Sequence, residues 1–327
     1  MARIGMIALA LIVSVILLYF AQRDDLVTTE KNAAHREEII ISYVLPGFSG
    51  YEQSLIKEGA NTAAREWNVS VLFEAAESQI DVNKQAEAIR QAIRNQVDAI
   101  VLLPGNYDAL RGDVQRAASA GIPVIIANND VADDPVVCSI FTDSGKAAAD
   151  LGKEIRKRFL EGGDYVLLLS NAAVDRNQSR RQGVEELLAA DARFIRIQEA
   201  FDPQENVNEA RQFVEEAIAK RETLDFIVAL DGISAQGAAQ ALRQAESDIL
   251  LFTYDCIPAV INAVDDGVVS GMIMENSFSV GYLSVVNAMK AIQGEQIPAQ
   301  IQVEYRLITP ENLYDSENVK LVFPFNK

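Results

Sequence analysis

The stretch that decides the fold is "VLPGFSGYEQSLIKEGA", Val44 to Ala60, where an apolar run gives way to a helical pattern across two glycines. The run that leads into it, "EIIISYVL", has the continuous apolar character of a strand buried on both faces. A short turn from such a strand into a helix is typical of α/β proteins, and glycine turns in this position often hold phosphate. The pattern therefore leaves two interpretations of this turn, a nucleotide-binding loop or a loop for a different kind of ligand.

The turn lacks the residues that a phosphate site needs. A nucleotide P-loop ends in Gly-Lys-Ser or Gly-Lys-Thr, whereas Gly50 is followed here by Tyr51 and Glu52. The G-x-G-x-x-G fingerprint of dinucleotide-binding proteins is absent too. A carboxylate in the first helical turn suits the helix dipole and would repel a bound phosphate. The turn therefore predicts a neutral or cationic ligand.

The composition excludes several classes of protein. The chain has 327 residues, too many for one small core, and a net charge of -18. Such an acidic surface argues against nucleic acid as a partner. His35 is the only histidine and lies in a polar stretch, which argues against zinc sites and against Ser-His-Asp or Cys-His catalysis. No cofactor motif is present. Cys138 and Cys256 are expected to be small buried apolar side chains, and their spacing does not require a disulfide.

The N-terminal segment is uncharged and almost wholly apolar from Ile4 to Phe20. As a helix it would span roughly 25 Å, slightly less than the hydrocarbon core of a bilayer. A cleaved signal peptide is one interpretation, although "YFAQ" is a weak cleavage site. We favour an uncleaved signal anchor over residues 1–22, followed by a polar linker over 23–37. Both interpretations place the remainder outside the cytoplasm.

From Glu38 onward, short Val/Ile/Leu runs alternate with longer segments of helical spacing. This alternation predicts parallel sheets with helices on both faces, and the rhythm restarts in the second half. The fold class is therefore α/β, with two doubly wound lobes. The tail segments "IQVEYRLIT" and "VKLVF" alternate in polarity and predict edge strands.

Acids and amides recur directly after the predicted strands. Because parallel sheets bind ligands beyond the carboxyl ends of their strands, these side chains are candidate ligand contacts. Each of them is also an ordinary helix cap or turn former when taken singly. The candidates are Asn106, Asn128, Asn129, Arg176, Gln178, Glu205, Asp231, Asp255 and Glu275.

The pattern from Glu38 to about Thr309 resembles the type I periplasmic binding proteins of the ribose-binding group. The resemblance rests on the order and spacing of several segments. These segments are "ISYVLPGFSGYEQSLIKEGANTAAREW", "NQVDAIVLLPGN", "AGIPVIIANND", "FTDSGKAAADLGKEI", "RRQGVEELL", "FIVALDGISAQGAAQALRQ" and "LLFTYDCIPAVINAVDDGVVSGMIMEN". The family implies two lobes joined by a three-segment hinge, with one lobe over 38–141 plus 277–304 and the other over 142–276 plus 305–327.

The resemblance also implies which positions line the cleft between the lobes. At these positions the aspartate of the family is retained as Asp255. The arginine and aromatic residues that the family carries at other cleft positions are replaced here, and carboxylates are added. The ligand is therefore predicted to be a sugar, a polyol or an amine-bearing analogue. The implied contacts are Glu52, Gln53, Asn128, Asn129, Gln178, Asp231, Asp255 and Glu275, with Phe48, Tyr51, Asn106, Arg176 and Glu205 nearby.

Two functions follow from this resemblance, and both involve a monomer without a cofactor or metal. The first is a solute-binding protein that presents its ligand to the permease of an ABC transporter. The alternative is a membrane-anchored sensory protein that partners a histidine kinase or chemoreceptor. A transcription regulator would need a helix-turn-helix where the apolar segment lies. The paired carboxylates could serve acid–base chemistry, but the fold resemblance points to binding and not to an enzyme.

Overall fold

The computed structural model describes residues 38–47, 50–75, 81–131, 135–170, 175–220 and 223–322. The predicted anchor over 1–22 and the predicted linker over 23–37 lie outside these residues. Within the described part of the chain, no helix is both long enough and apolar enough to cross a bilayer.

Two six-stranded sheets form the framework. The first has the order β11-β5-β4-β3-β1-β2, and all of its neighbouring strands are parallel. Its strands are β1 (Ile40–Leu45), β2 (Ser70–Ala75), β3 (Ala99–Leu102), β4 (Val124–Ala127), β5 (Cys138–Phe141) and β11 (Gln300–Gln302). The strand order reverses next to β1, which makes the carboxyl ends of β1 and β3 a switch point where a ligand can enter.

The second sheet repeats this order as β12-β10-β9-β8-β6-β7, with only β12 antiparallel to its neighbour. Its strands are β6 (Gly163–Leu168), β7 (Phe194–Arg196), β8 (Phe226–Ala229), β9 (Leu250–Tyr254), β10 (Val269–Glu275) and β12 (Tyr305–Ile308). The switch point here lies between β6 and β8. The two sheets confirm the prediction of two α/β lobes with parallel cores.

Helices cover both sheets and fill the connections between strands. They are α1 (Tyr51–Trp67), α2 (Val82–Arg94), α3 (Tyr107–Ser119), α4 (Ser144–Arg158), α5 (Asp175–Ala189), α6 (Val207–Lys220), α7 (Gly232–Ala245), α8 (Pro258–Asp265), α9 (Ser277–Ile292) and α10 (Ser316–Val322). Several begin at a polar cap, as Asp81 and Asn276 show by accepting a hydrogen bond from the backbone N–H three residues on.

Within the described residues, the chain passes between the two sheets three times. The passages lie between Phe141 and Ser144, at Asn276, and between Gln302 and Tyr305. Helix α4 packs against β10 and β12 of the second sheet, whereas α9 returns to pack against α1 and strands of the first sheet. The predicted tail strand "IQVEYRLIT" accordingly supplies an edge strand to each sheet.

Helices α1 and α9 approach each other closely through glycine. A Cβ added at Gly281 would lie 1.9 Å from the carbonyl oxygen of Ile56, and one added at Gly59 would lie 2.0 Å from that of Phe278. No side chain fits in either position, because the backbones of the two helices are in contact there. This crossing fixes α9, and with it the second passage, on the first lobe.

The prediction of an edge strand at "VKLVF" is wrong. Residues 316–322 form helix α10, whose Val322 is buried against the core of the second lobe. A period of three to four residues places Val319 and Val322 on one side of the helix, so the same letters satisfy a helical pattern. The segment is too short for its periodicity to distinguish a strand from a helix.

Candidate functional site

A cavity of about 290 Å³ opens at the carboxyl ends of the strands, next to the switch points of both sheets. Pro46 and Leu103 border it from the ends of β1 and β3, and Ser170 borders it from the end of β6. Its remaining lining residues are Gly50, Tyr51, Glu52, Gln53, Ile56, Arg176, Asn177, Arg180, Glu205, Asp231, Gly232, Ile233, Asp255 and Ile257. The cavity therefore takes side chains from both lobes.

Arg180 is the most deeply buried cation of the cavity, with 1% of its side chain exposed. Its Nη2 lies 2.8 Å from Asp255 Oδ1, and its Nη1 donates a hydrogen bond of 3.1 Å to Asp255 Oδ2. The guanidinium also stacks on the ring of Tyr254, with its carbon 3.9 Å from the ring centre. These contacts fix a planar donor group at the wall of the cavity.

Asp255 follows β9 in a left-handed backbone conformation, with a φ of 69° that aspartate tolerates better than most residues. Burial raises the pKa of its carboxyl to about 6, although Arg180 acts in the opposite direction. Arg180 has a pKa well above its ordinary value because Asp255 and Glu275 outweigh the effect of burial. The site thus combines a permanent cation with a carboxyl that takes up a proton below neutral pH.

Asp231 links three parts of the second lobe. Its Oδ1 accepts a hydrogen bond of 2.9 Å from Ser234 N at the start of α7, which makes it the cap of that helix. Its Oδ2 accepts from Ser170 N at 2.6 Å and from Ser234 Oγ at 2.5 Å. Asp231 therefore lines the cavity and also holds the ends of β6 and β8 together.

The first lobe contributes the beginning of α1. Glu52 Oε1 accepts hydrogen bonds from Asn128 Nδ2 at 2.8 Å and from Arg176 Nη1 at 2.6 Å. Gln53 is buried and donates its Nε2 to the carbonyl of Pro46 at 3.1 Å, so it shapes the turn after β1. Tyr51 packs against the apolar core of the second lobe.

Not all predicted contacts lie at this cavity. Asn128 and Asn129 border a larger opening of about 850 Å³. Among the described lining residues, Arg176 is the only one that this opening shares with the smaller cavity. Asn106 caps α3 through a bond of 3.0 Å from Ala109 N. Gln178 is exposed and lines neither opening.

Glu275 is buried behind the cavity instead of lining it. Its Oε1 accepts hydrogen bonds from Ser144 Oγ at 2.9 Å and Tyr254 OH at 2.6 Å. Ser144 is the first residue of α4, directly after the first passage, and Glu275 is the last residue of β10, directly before the second. The hydrogen bond between them therefore connects two of the passages. Phe48 lies outside the described residues.

The sequence-based set omitted Arg180 and Ser170. Arg180 follows Arg176 by four residues, and residues at this spacing lie on the same face of a helix. Gln178 follows Arg176 by two residues and therefore points to the opposite side. Helical spacing applied to "DRNQSR" would have selected Arg180 in place of Gln178.

Both cysteines are free and buried, as the sequence predicted. No group of three His, Cys, Asp or Glu side chains in the described ranges is arranged to hold a metal ion.

Comparison with known proteins then decides the family. A model described as a periplasmic binding protein domain matches residues 41–296, most of the chain. The chain belongs to the periplasmic binding protein family. Membership of this family implies an extracytoplasmic location, and it places the chain among binding proteins and not among enzymes.

Relatives of this periplasmic binding protein include proteins named for the solute that they bind. A xylitol-binding protein of Mycolicibacterium smegmatis is 26% identical over 264 residues, which are 79% of this chain and 73% of that protein. A ribose import binding protein of Escherichia coli is 25% identical over 261 residues, 78% of this chain and 86% of that protein. Both names describe solute-binding proteins, and neither supports the sensory alternative.

The fold is also found in solved structures. An ABC transporter solute-binding protein from Agrobacterium vitis, solved with bound D-fucose, superposes with a TM-score of 0.81. The two chains are 19% identical, and the match covers 87% of this chain and all of that one. At this identity the likeness establishes the fold alone.

Proposed function

We propose that this protein captures a small polyhydroxylated solute, a sugar or polyol or an amine-bearing analogue, and presents it to the permease of an ABC transporter. The observation that carries the proposal is the convergence of Arg180, Asp255 and Asp231 on one cavity at the strand ends. A fixed guanidinium donates to hydroxyl oxygens and carboxylates accept from hydroxyl hydrogens, which is the pairing that a sugar needs.

The size of the cavity supports the same ligand class. A volume of about 290 Å³ lies at the lower end of the range for small-molecule sites, roughly 300 to 1,000 Å³. It suits a single sugar ring or a short polyol better than an oligosaccharide. The names of the xylitol-binding and ribose-binding relatives and the D-fucose in the superposed structure agree with this class.

Capture would occur by closure of the two lobes about the three passages. We place the lobes at 38–141 plus 277–304 and at 142–276 plus 305–327, with the passages as the hinge. Hinges of this kind absorb the backbone change in a few residues between rigid lobes. We further propose that the apolar segment of residues 1–22 anchors the protein at the outer face of the cytoplasmic membrane, which fractionation of cells would test.

Calorimetric titration of the purified full-length chain tests the solute assignment. Pentoses, hexoses and pentitols should include a ligand that binds in a one-to-one ratio, and Asp255→Asn should weaken it at least tenfold. An unchanged affinity in Asp255→Asn would remove this cavity as the binding site. Asp108→Asn, at a side chain that is 84% exposed, is the control that should bind as the wild type does.

A further inference from the structure

One ion pair crosses the cleft from lobe to lobe. Glu52 at the start of α1 faces Arg176 at the start of α5, with Arg176 Nη1 2.6 Å from Oε1 and Nη2 2.8 Å from Oε2. Two parallel hydrogen bonds of this kind define orientation as well as distance. Asn128 of the first lobe donates a third hydrogen bond to the same carboxylate and so helps to fix its orientation.

The pair is largely shielded from water. The exposed fractions of the two side chains are 11% for Arg176 and 21% for Glu52. Burial opposes ionisation of Glu52, yet Arg176, Arg180 and the hydrogen bond from Asn128 together lower the pKa of the carboxyl. Both members are therefore charged at neutral pH, and an attraction between buried charges is screened much less than one at the surface.

The pair also lies at the boundary between two cavities. Arg176 borders both the cavity of about 290 Å³ and the opening of about 850 Å³. Glu52 borders only the smaller space, and Asn128 only the larger. The guanidinium and carboxylate thus form a partition between the ligand cavity and the wider opening.

The residue before Glu52 covers part of the second lobe. Tyr51 packs against the apolar cluster that contains Cys256. Cys256 has 8% of its surface exposed, and burial raises the pKa of its thiol to about 12. Parting of the lobes would withdraw Tyr51 and give this thiol access to water.

We propose that Glu52 and Arg176 are a positioning pair that stabilises the closed arrangement of the two lobes over the open one, even when no solute is bound. Their sequence positions suggested ligand contacts, but their hydrogen bonds are made to each other across the lobes. A solute enters when the lobes part, and the pair forms again as they close around it. This role does not depend on which solute the protein carries.

Native Cys256 provides the test, without any ligand. Full-length protein is treated with a thiol reagent under native conditions, and the labelling of each cysteine is followed by peptide mass spectrometry. Cys256 should react slowly in the wild type and at least tenfold faster in Glu52→Gln and Arg176→Gln. Cys138, fully buried in β5 of the first sheet, should keep its wild-type rate in all variants.

Two further variants decide the outcome. The charge swap Glu52→Arg with Arg176→Glu should return Cys256 to slow labelling, which loss of packing alone would not produce. Glu58→Gln removes an exposed partner of Arg65 on the same helix and should leave the rate unchanged. Wild-type rates in both single variants would overturn the proposal, and so would a charge swap that labels as fast as they do. Because no solute is added, the result stands apart from the solute assignment above.

Discussion

The guanidinium of Arg180 lies 3.9 Å above the ring centre of Tyr254, buried at the carboxyl end of β9. Tyr254 is the last residue of β9 and Asp255 follows it, so one strand end supplies both the stacking surface and the counter-charge. Arg180 Nε has no hydrogen-bond partner in the described structure. The buried guanidinium is therefore held by the carboxylate of Asp255 on one side and by the ring of Tyr254 on its face.

Replacement of Arg180 by lysine should damage both stability and binding. Lysine keeps the charge but loses the planar fork that reaches both oxygens of Asp255 and stacks on Tyr254. We expect a loss of about 3 kcal/mol in the free energy of unfolding, because one charge of a buried pair is left poorly compensated. Urea denaturation measures this loss. Arg181→Lys, at a side chain 37% exposed, should change it by less than about 0.5 kcal/mol. A fully stable Arg180→Lys would contradict this account of the cleft wall.

Alanine at Gly281 should destabilise the first lobe. The new methyl group would fall 1.9 Å from the carbonyl of Ile56, so α1 and α9 would have to separate. Overpacking of this kind costs about 1 to 3 kcal/mol. Gly112 is the matched helical control, because a Cβ there meets only the end of Arg116 at 3.7 Å. Gly112→Ala should instead add about 0.5 to 1 kcal/mol. Thermal unfolding that ranks the two variants equally would show that the helix contact is not tight.

Asp231 and Asn106 provide a comparison between two helix caps. Asp231→Asn must disturb the bonds from Ser170 N and Ser234, so we expect a loss of about 1 to 3 kcal/mol. Asn106→Ala removes a single bond at the start of α3 and should cost about 1 kcal/mol. Chemical denaturation of both variants measures the difference. A loss at Asp231 no larger than that at Asn106 would mean that Asp231 acts as an ordinary cap.

The pH dependence of stability follows from Asp255. Burial raises the pKa of its carboxyl from 3.8 to about 6, so the folded protein keeps a proton that the unfolded chain releases. The contribution of this group is fully present below about pH 4 and is lost as the pH rises through 6. Glu52 acts in the opposite sense, because its lowered pKa contributes stability above 4.5 that is lost as the pH falls.

Comparison with Asp255→Asn isolates the first of these effects. The melting temperature of the wild type minus that of Asp255→Asn should fall between pH 4 and pH 7. Over this range the carboxyl of Asp255 loses its proton and its contribution to stability, whereas asparagine does not titrate. Differential scanning calorimetry at half-unit intervals measures this difference. A difference that grows with pH would show that attraction to Arg180 outweighs burial, contrary to the expected direction.

The fold could be predicted from the sequence because its signals are local and repeated. Apolar runs such as "IISYVL" and "FIVAL", each followed by a helical pattern, predict parallel strands with helices around them. The edge strands in "IQVEYRLIT" were also predicted. The segment "VKLVF" was assigned wrongly, because a helix of 7 residues and a short strand share the same pattern of polarity.

The candidate site could be predicted only in part. Asp231 and Asp255 were found because they directly follow strands, and such positions meet at one edge of the sheet. Arg180 was missed because it lies inside helix α5 and not directly after a strand. Only its spacing of four residues from Arg176 indicates that the two side chains share a face of that helix. The roles of Glu52 and Glu275 depend on partners 124 and 131 residues away. No local pattern shows such contacts, since they follow from how the lobes close.

The most direct test of the central claim is the melting temperature of the full-length chain against pentoses, hexoses, inositols, amino sugars and polyamines. A true ligand at 100 times its dissociation constant should stabilise the protein by about 2.7 kcal/mol. We predict such a shift with a single-ring sugar or a short polyol, and its loss in Asp255→Asn. A shift with polyamines alone would show that the carboxylates select an amine. Equal melting temperatures across the whole panel would contradict the assignment of this protein as a receptor for sugar-like solutes.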